Sequence, residues 1–354
     1  ETVFGKGVSM GLVGGGYDEY DADYVFATVQ TINLDAHITK YQPDEFDCIV
    51  LDEAHHSSAN IYQKVMKYFR PRLFLGMTAT PDKRDDNIEG RNIYEIFNYQ
   101  IACEIRLQQA MEENMLCPFH YFGISDISSV DDKVIHSKKI SEADFNRLTA
   151  DERIKHIVKQ ANFYGYSGDR VKGLVFCSRI DETVELSKKF NKIINPDTGK
   201  YYRTIALNGS ASEEEREDAF ERLAMDENDE ENGSKGQKLS PLDYIFSVEI
   251  LNEGVDIVEV NQVIMLRPTE SPIVFIQQLG RGLRKADGKE YVVILDFIGN
   301  YSNNFMIPIA LSGDRTYNKD TIRKYVISGN SIIPGASTVH FDEIAKNKIF
   351  DSID

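Results

Sequence analysis

Phe46-Asp47-Cys48-Ile49-Val50-Leu51-Asp52-Glu53-Ala54-His55 decides the fold. A short apolar run of strand length ends abruptly in an acidic tetrad, which is how an open α/β sheet delivers functional side chains at the carboxyl end of a strand. Further strand candidates flank it at Tyr24 to Val29 and Leu73 to Met77, with a weaker one at Ile101 to Ile105. Between them Ile61, Val65 and Phe69 repeat every four residues, which predicts a helix packed on a sheet.

A second alternating series follows: a strand at Gly173 to Cys177, a helix from Asp181 to Ile194, a strand at Thr204 to Leu207, and a helix opened by Ser212 with Glu215 at the capping-box position. Strands at Tyr244 to Val248, Gln262 to Leu266 and Tyr291 to Phe297 complete it, with a helix capped by Ser271 and started by Pro272 before the last. Strands alternating with helices predict an α/β fold with parallel sheets. The expected organisation is a first domain over 1–104, a loosely patterned connector over 105–150, a second domain over 151–300, and a C-terminal extension over 301–354 whose only clear periodicity is Asp320 to Ile327.

The 354 residues are 42% hydrophobic, enough for two packed cores. No apolar stretch approaches the roughly 20 residues of a membrane helix. The four cysteines, Cys48, Cys103, Cys117 and Cys177, lack paired spacing and read as core residues rather than a disulfide framework or zinc site. A cytoplasmic location, away from membranes, is the expectation. The net charge of −17 offers no global attraction to nucleic acid, so any phosphate contact must be local. Much of the acidity lies in Glu213 to Glu231, where eleven acidic residues face two arginines, the pattern of a solvated helix face followed by a loop.

The chemistry concentrates at strand ends. Asp52 can hold Mg²⁺ through water, and Glu53 can polarise an attacking water. Thr78 and Thr80, in Gly76-Met77-Thr78-Ala79-Thr80, can relay hydrogen bonds from His55 if the two strands are neighbours. Thr28 and Gln30, and Ser178 in Val175-Phe176-Cys177-Ser178-Arg179, offer groups suited to phosphate contacts, with an ordinary turn as the alternative at each place. In Asn252-Glu253-Gly254-Val255-Asp256, Gly254 permits close backbone approach and Asp256 can accept from a ribose or pair with an arginine. About 220 residues after the tetrad, Gln277 to Arg284 reads Q-Q-L-G-R-G-L-R. Arg281 and Arg284, at i and i+3, are expected on one helix face, and cations so placed neutralise charge developing on a γ-phosphate.

In this order the pieces resemble superfamily 2 helicases and translocases, with D-E-A-H as motif II, T-A-T as motif III, V-F-C-S as motif IV, N-E-G-V-D as motif V and Q-Q-L-G-R-G-L-R as motif VI. The likeness is greatest to the DEAH-type group that includes type I and type III restriction motor subunits and related bacterial helicases. It implies two RecA-like domains in tandem, ATP and Mg²⁺ at the cleft between them, Asp52 organising the metal, Glu53 activating water, and Arg281 and Arg284 as arginine fingers. It further implies that Gln277 senses the γ-phosphate, that Gly254 and Asp256 contact nucleotide or couple the domains, and that Thr28, Gln30 and Ser178 touch a nucleic-acid backbone. DNA is favoured over RNA, and an attached nuclease or recognition domain is an expected partner.

One departure stands out. No G-x-x-x-x-G-K-[ST] occurs, and Gly14-Gly15-Gly16 lacks the lysine and hydroxyl that would make it a phosphate loop. The chain opens on Glu1 and Phe4 to Gly16 already reads as mid-domain, so the expectation is truncation ahead of the P-loop, an incomplete first domain and a fragment inactive by itself. Two other readings remain: a duplex-DNA translocase of a restriction-type complex, and a helicase-like scaffold that binds without turnover.

Overall fold

The computed structural model describes residues 7–78, 92–128, 139–229, 238–248, 257–268, 280–299, 301–313, 318–328 and 336–353, with single residues at 130, 134, 137, 275, 276, 278 and 316. The chain forms two compact units, Glu1–Glu104 and Ile105–Asp354.

In the first unit β1 (Met10–Gly14) pairs antiparallel with β2 (Tyr17–Asp18) and parallel with β3 (Tyr24–Ala27). Gly14, Gly15 and Gly16 form the β1–β2 turn with φ of 126°, 62° and 91°, values that side chains disfavour, so this glycine run has a structural use in the hairpin. β4 (Cys48–Leu51) and β5 (Leu73–Gly76) are parallel neighbours with Leu51 opposite Gly76. The helix Asn60–Tyr68 crosses between them, as its four-residue repeat predicts, and buries Val65 and the following Phe69 in a small core with Ile32, Ile38 and Tyr41. Ile101 to Ile105 forms no strand: Ile101 and Ile105 lie exposed on irregular backbone. Cys48 and Cys103 are exposed too, and only Cys117 and Cys177 are core residues.

The second unit holds one seven-stranded, wholly parallel sheet. Its strands are β6 (Phe119–Ser125), β7 (Gly173–Phe176), β8 (Thr204–Leu207), β9 (Tyr244–Ser247), β10 (Gln262–Met265), β11 (Val292–Ile298) and β12 (Thr338–Phe341), in the spatial order β12-β6-β11-β10-β7-β9-β8. Every residue of β7, β9, β10 and β11 is buried. That explains why these strands read as unbroken apolar runs rather than alternating ones. Helices Asp151–Tyr164 and Ile180–Phe190 cover one face, while Glu213–Ala224, Met306–Ser312, Lys319–Ser328 and Glu343–Ile353 contribute Leu223, Ile307, Ile322 and Ile349 to the core on the other. Ser212 and Glu215 form the expected capping box, and the acidic helix buries Ala219 and Leu223 while Glu213, Glu217 and Glu221 face solvent.

Two segments differ from expectation. Residues 105–150, expected as a connector, supply β6, which runs beside β11 through seven paired residues. The extension 301–354 supplies β12 on the outer side of β6. Their partners are far along the chain: His120 Nδ1 lies 2.8 Å from Thr338 Oγ1, and a Cβ on Gly123 would stand 2.4 Å from the Phe341 ring. Such pairing leaves no local periodicity to read.

Within the core, the Asp296 carboxylate on β11 accepts from the Tyr121 hydroxyl at 2.6 Å, and burial pushes its pKa up to about 7. The folded state therefore keeps a proton between about pH 4 and pH 7 that an unfolded aspartate has released, so stability falls as pH rises through that window and is indifferent to this group below it. Asp296→Asn is expected to flatten this slope, the wild type losing about 3–4 kcal/mol relative to the variant across the window, with the slope reaching at most about 1.4 kcal/mol per pH unit at its middle. Urea unfolding at both ends of the window measures it, and parallel pH dependence in the two proteins would refute it.

Candidate functional site

β4 and β5 continue their pairing beyond the strand ends. Met77 N donates to Leu51 O at 2.8 Å and Ala54 N to Met77 O at 2.8 Å, so the acidic tetrad and the threonine segment lie side by side. Gly76 lets the two segments and the Phe97 ring pack closely, since a Cβ would stand 2.5 Å from that ring and 3.0 Å from Ala54 Cβ.

Glu53 adopts the left-handed conformation, φ 48° and ψ 46°. For a residue bearing a Cβ that costs roughly 1–2 kcal/mol, and such outliers persist where surrounding structure enforces them, often at functional sites. Asp52 is exposed and one of its oxygens accepts from Glu53 N at 2.9 Å. Glu53 Oε2 lies 3.3 Å from His55 Nδ1, and that same nitrogen lies 3.1 Å from Thr78 Oγ1. The same imidazole nitrogen thus lies between the carboxylate and the hydroxyl of the neighbouring strand, and His55 and Thr78 are neighbours as the strand pairing required. Thr80 lies outside the described residues.

Thr28 precedes the short helix Val29–Ile32, with its hydroxyl donating to Thr31 Oγ1 at 2.9 Å, and both Thr28 and Gln30 are exposed at the end of β3. In the second unit Ser178 follows β7. Its amide donates to Glu182 Oε2 at 3.0 Å and its hydroxyl faces Leu266 O at 3.5 Å.

Glu182 belongs to a network with no signature in sequence spacing. Arg153, 1% exposed, donates through Nη2 to Asp126 Oδ2 at 2.8 Å and through Nη1 to Glu182 Oε1 at 2.8 Å and Leu148 O at 2.7 Å. Burial pushes the Glu182 carboxyl up against the opposing pull of Arg153, while the two carboxylates hold the guanidinium's pKa above its ordinary value.

The expected helix face bearing Arg281 and Arg284 is not formed: helical backbone reaches only Gly280, and residues 281–284 are turn and bend. Two glycines weaken helix continuation, and packing accounts for one of them, as a Cβ on Gly282 would stand 2.8 Å from Val292 Cγ1. Cys117 N donates to Leu283 O at 2.7 Å and draws the segment onto the start of β6. Arg284 is exposed and Arg281 half-buried. Gln277, Gly254 and Asp256 lie outside the described residues, as do Ser271 and Pro272.

Residues 4–83 match the family described as "Type III restriction enzyme, res subunit", and residues 152–286 match "Helicase conserved C-terminal domain". Among relatives, IRC3 of Saccharomyces cerevisiae is 23% identical over 84% of this chain and 40% of its own length. The type I restriction enzyme EcoAI endonuclease subunit of Escherichia coli is 24% identical over 72% of this chain and 32% of its own. Among solved structures, a fragment assigned to the HsdR subunit of a type I restriction enzyme from Vibrio vulnificus YJ016 superposes with a TM-score of 0.60 at 22% identity, over 81% of this chain and 50% of that one. Dbp5 of S. cerevisiae bound to RNA and ADP BeF3 gives 0.53 at 13% identity, over 98% and 74%.

The fold is thus that of tandem RecA-like helicase domains. The chain belongs to the superfamily 2 helicases, with a resemblance to restriction motors. It spans 32–48% of the length of the curated relatives IRC3, EcoAI and a Lactococcus phage 51.5 kDa protein.

Proposed function

We propose that this chain is the motor core of a nucleic-acid-dependent ATPase acting on DNA. The carrying observation is the strained Glu53, whose carboxylate meets His55 Nδ1 at 3.3 Å while that nitrogen meets Thr78 Oγ1 at 3.1 Å. A base held in this way can orient and deprotonate a water, while phosphoryl transfer otherwise asks mainly for positioning and charge neutralisation.

The donor set suits magnesium. No group of three or more His, Cys, Asp or Glu side chains poised to hold a metal occurs among the described residues, whereas Asp52 presents an accessible carboxylate. Mg²⁺ typically binds through one or two carboxylates together with water and substrate phosphates. When bound, the ion would neutralise phosphate charge. Asp52 would hold it through water, Glu53 would receive the proton of the attacking water, and Arg281 and Arg284 would supply positive charge to the transferring group. Thr28, Gln30 and Ser178 are assigned to the nucleic-acid backbone as exposed or half-buried polar groups at the ends of β3 and β7.

The match of 4–83 to a restriction-enzyme family supports DNA over RNA. The same match favours a second reading, a duplex translocase feeding a nuclease or recognition domain. In the full-length protein, ATP turnover is expected to rise on adding DNA and to rise less with RNA of the same length. Triplex displacement without strand separation selects the translocase, and strand separation selects the helicase. Turnover indifferent to nucleic acid would sink both readings.

A further inference from the structure

Lys289 ends a turn, Ala286 to Lys289, closed by a bond from Lys289 N to Ala286 O at 3.2 Å with Gly288 at φ 76°. Its half-buried ammonium donates to three backbone carbonyls: that of Val258, that of Val260 at 3.1 Å and that of Gly282 at 3.3 Å. Three donors meet three acceptors from two distant stretches of chain, so a compact, fully protonated ammonium suits the place better than any apolar side chain of the same length. Burial pulls the Lys289 pKa down, with Cys117 and Glu259 opposing.

Both stretches are otherwise set by packing. Ile257 and Val260 are buried in the same core as Leu283 and Val292, and Gly282 lies against Val292 and Val263. Gly282 is also the residue between Arg281 and Leu283-Arg284. Fixing its carbonyl constrains the backbone between the two arginines.

We propose that Lys289 is a positioning residue whose ammonium ties Val258 and Val260 to Gly282 and thereby holds Arg281 and Arg284 in the geometry that phosphoryl transfer needs. The role of the arginines rests on the function proposed above; the tie itself does not.

The test uses the full-length protein and the variants Lys289→Met, Arg281→Ala, their combination, and Lys285→Met as control, Lys285 being an exposed neighbour bonded to Asn114 O. Lys289→Met is expected to lower DNA-stimulated kcat about 10- to 100-fold, as a displacement of about 1 Å does. KM for ATP should stay within about twofold, the signature of a lost transition-state interaction. Added to Arg281→Ala, Lys289→Met should cost less than it costs in the wild type, the remainder passing through Arg284. An unchanged kcat, a loss confined to KM, or additive losses in the double variant would overturn the proposal. Hydrogen exchange reads the tie without turnover: amides at 257–261 and 280–284 should lose protection together in Lys289→Met and keep it in Lys285→Met. Unchanged protection overturns the tie. Absence of DNA-stimulated ATPase in the wild type overturns the proposed function, leaving the exchange measurement to decide the tie.

Discussion

Glu53→Gln in the full-length protein is expected to lower kcat for ATP hydrolysis by about 10²- to 10⁴-fold, the contribution of a positioned general base. Glutamine keeps the length and shape of the side chain, and it can still approach His55 Nδ1, which lies 3.3 Å from the wild-type carboxylate and 3.1 Å from Thr78 Oγ1. It cannot accept a proton. The bond from residue 53 N to Asp52 Oδ1, at 2.9 Å, is untouched, so the Asp52 carboxylate keeps its orientation. Nucleotide and DNA affinity should therefore persist while turnover disappears. Single-turnover kinetics together with DNA binding under ATP separate these quantities. A variant that loses ATP affinity in proportion to turnover would show that Glu53 binds rather than activates.

Arg153→Met is expected to destabilise the second unit by about 3–5 kcal/mol, the cost of breaking a buried ion pair from one side. The wild-type guanidinium contacts both Asp126 and Glu182 at 2.8 Å, and these carboxylates are 4% and 0% exposed. Removing it strands two carboxylates away from water, and they must protonate or drag water inward. Because burial already raises the Glu182 pKa, losing Arg153 raises it further; a protonated Glu182 carries no stranded charge, so the deficit should shrink as pH falls. Adding Asp126→Asn and Glu182→Gln should recover part of the loss at neutral pH. Denaturant midpoints across pH measure both effects, and a deficit that grows on acidification would refute the assignment. Glu182 also accepts from Ser178 N, so the same change should loosen a residue assigned to the nucleic-acid backbone.

How much was legible follows the range of each interaction. The strand ending in Asp52 and Glu53, the helix over Asn60–Tyr68 and the capping box of Ser212 and Glu215 were readable because hydrophobic period and capping depend on residues a few positions apart. The strand at Thr204–Leu207 fell where its apolar run predicted. Arg281 and Arg284 were readable as residue types at a telling spacing, but their helix was not, because Gly280, Gly282 and the bond from Cys117 N end it. Gly14 to Gly16, whose missing lysine was the salient sequence feature, turn out to shape a hairpin.

By itself, the sequence determined that this is an α/β chain of superfamily 2 character, with an acidic tetrad in its first part and a pair of closely spaced arginines in its second. Only the tertiary structure decided that β6 and β12 share the second sheet, that Arg153 answers to Asp126 and Glu182, that Lys289 binds Val258, Val260 and Gly282, and that Glu53 sits in a left-handed conformation. The physical reason is one of distance along the chain. Helix and strand periods are set by neighbours in sequence, whereas parallel pairing and buried charge partners join residues separated by tens to hundreds of positions, where no spacing rule names the partner.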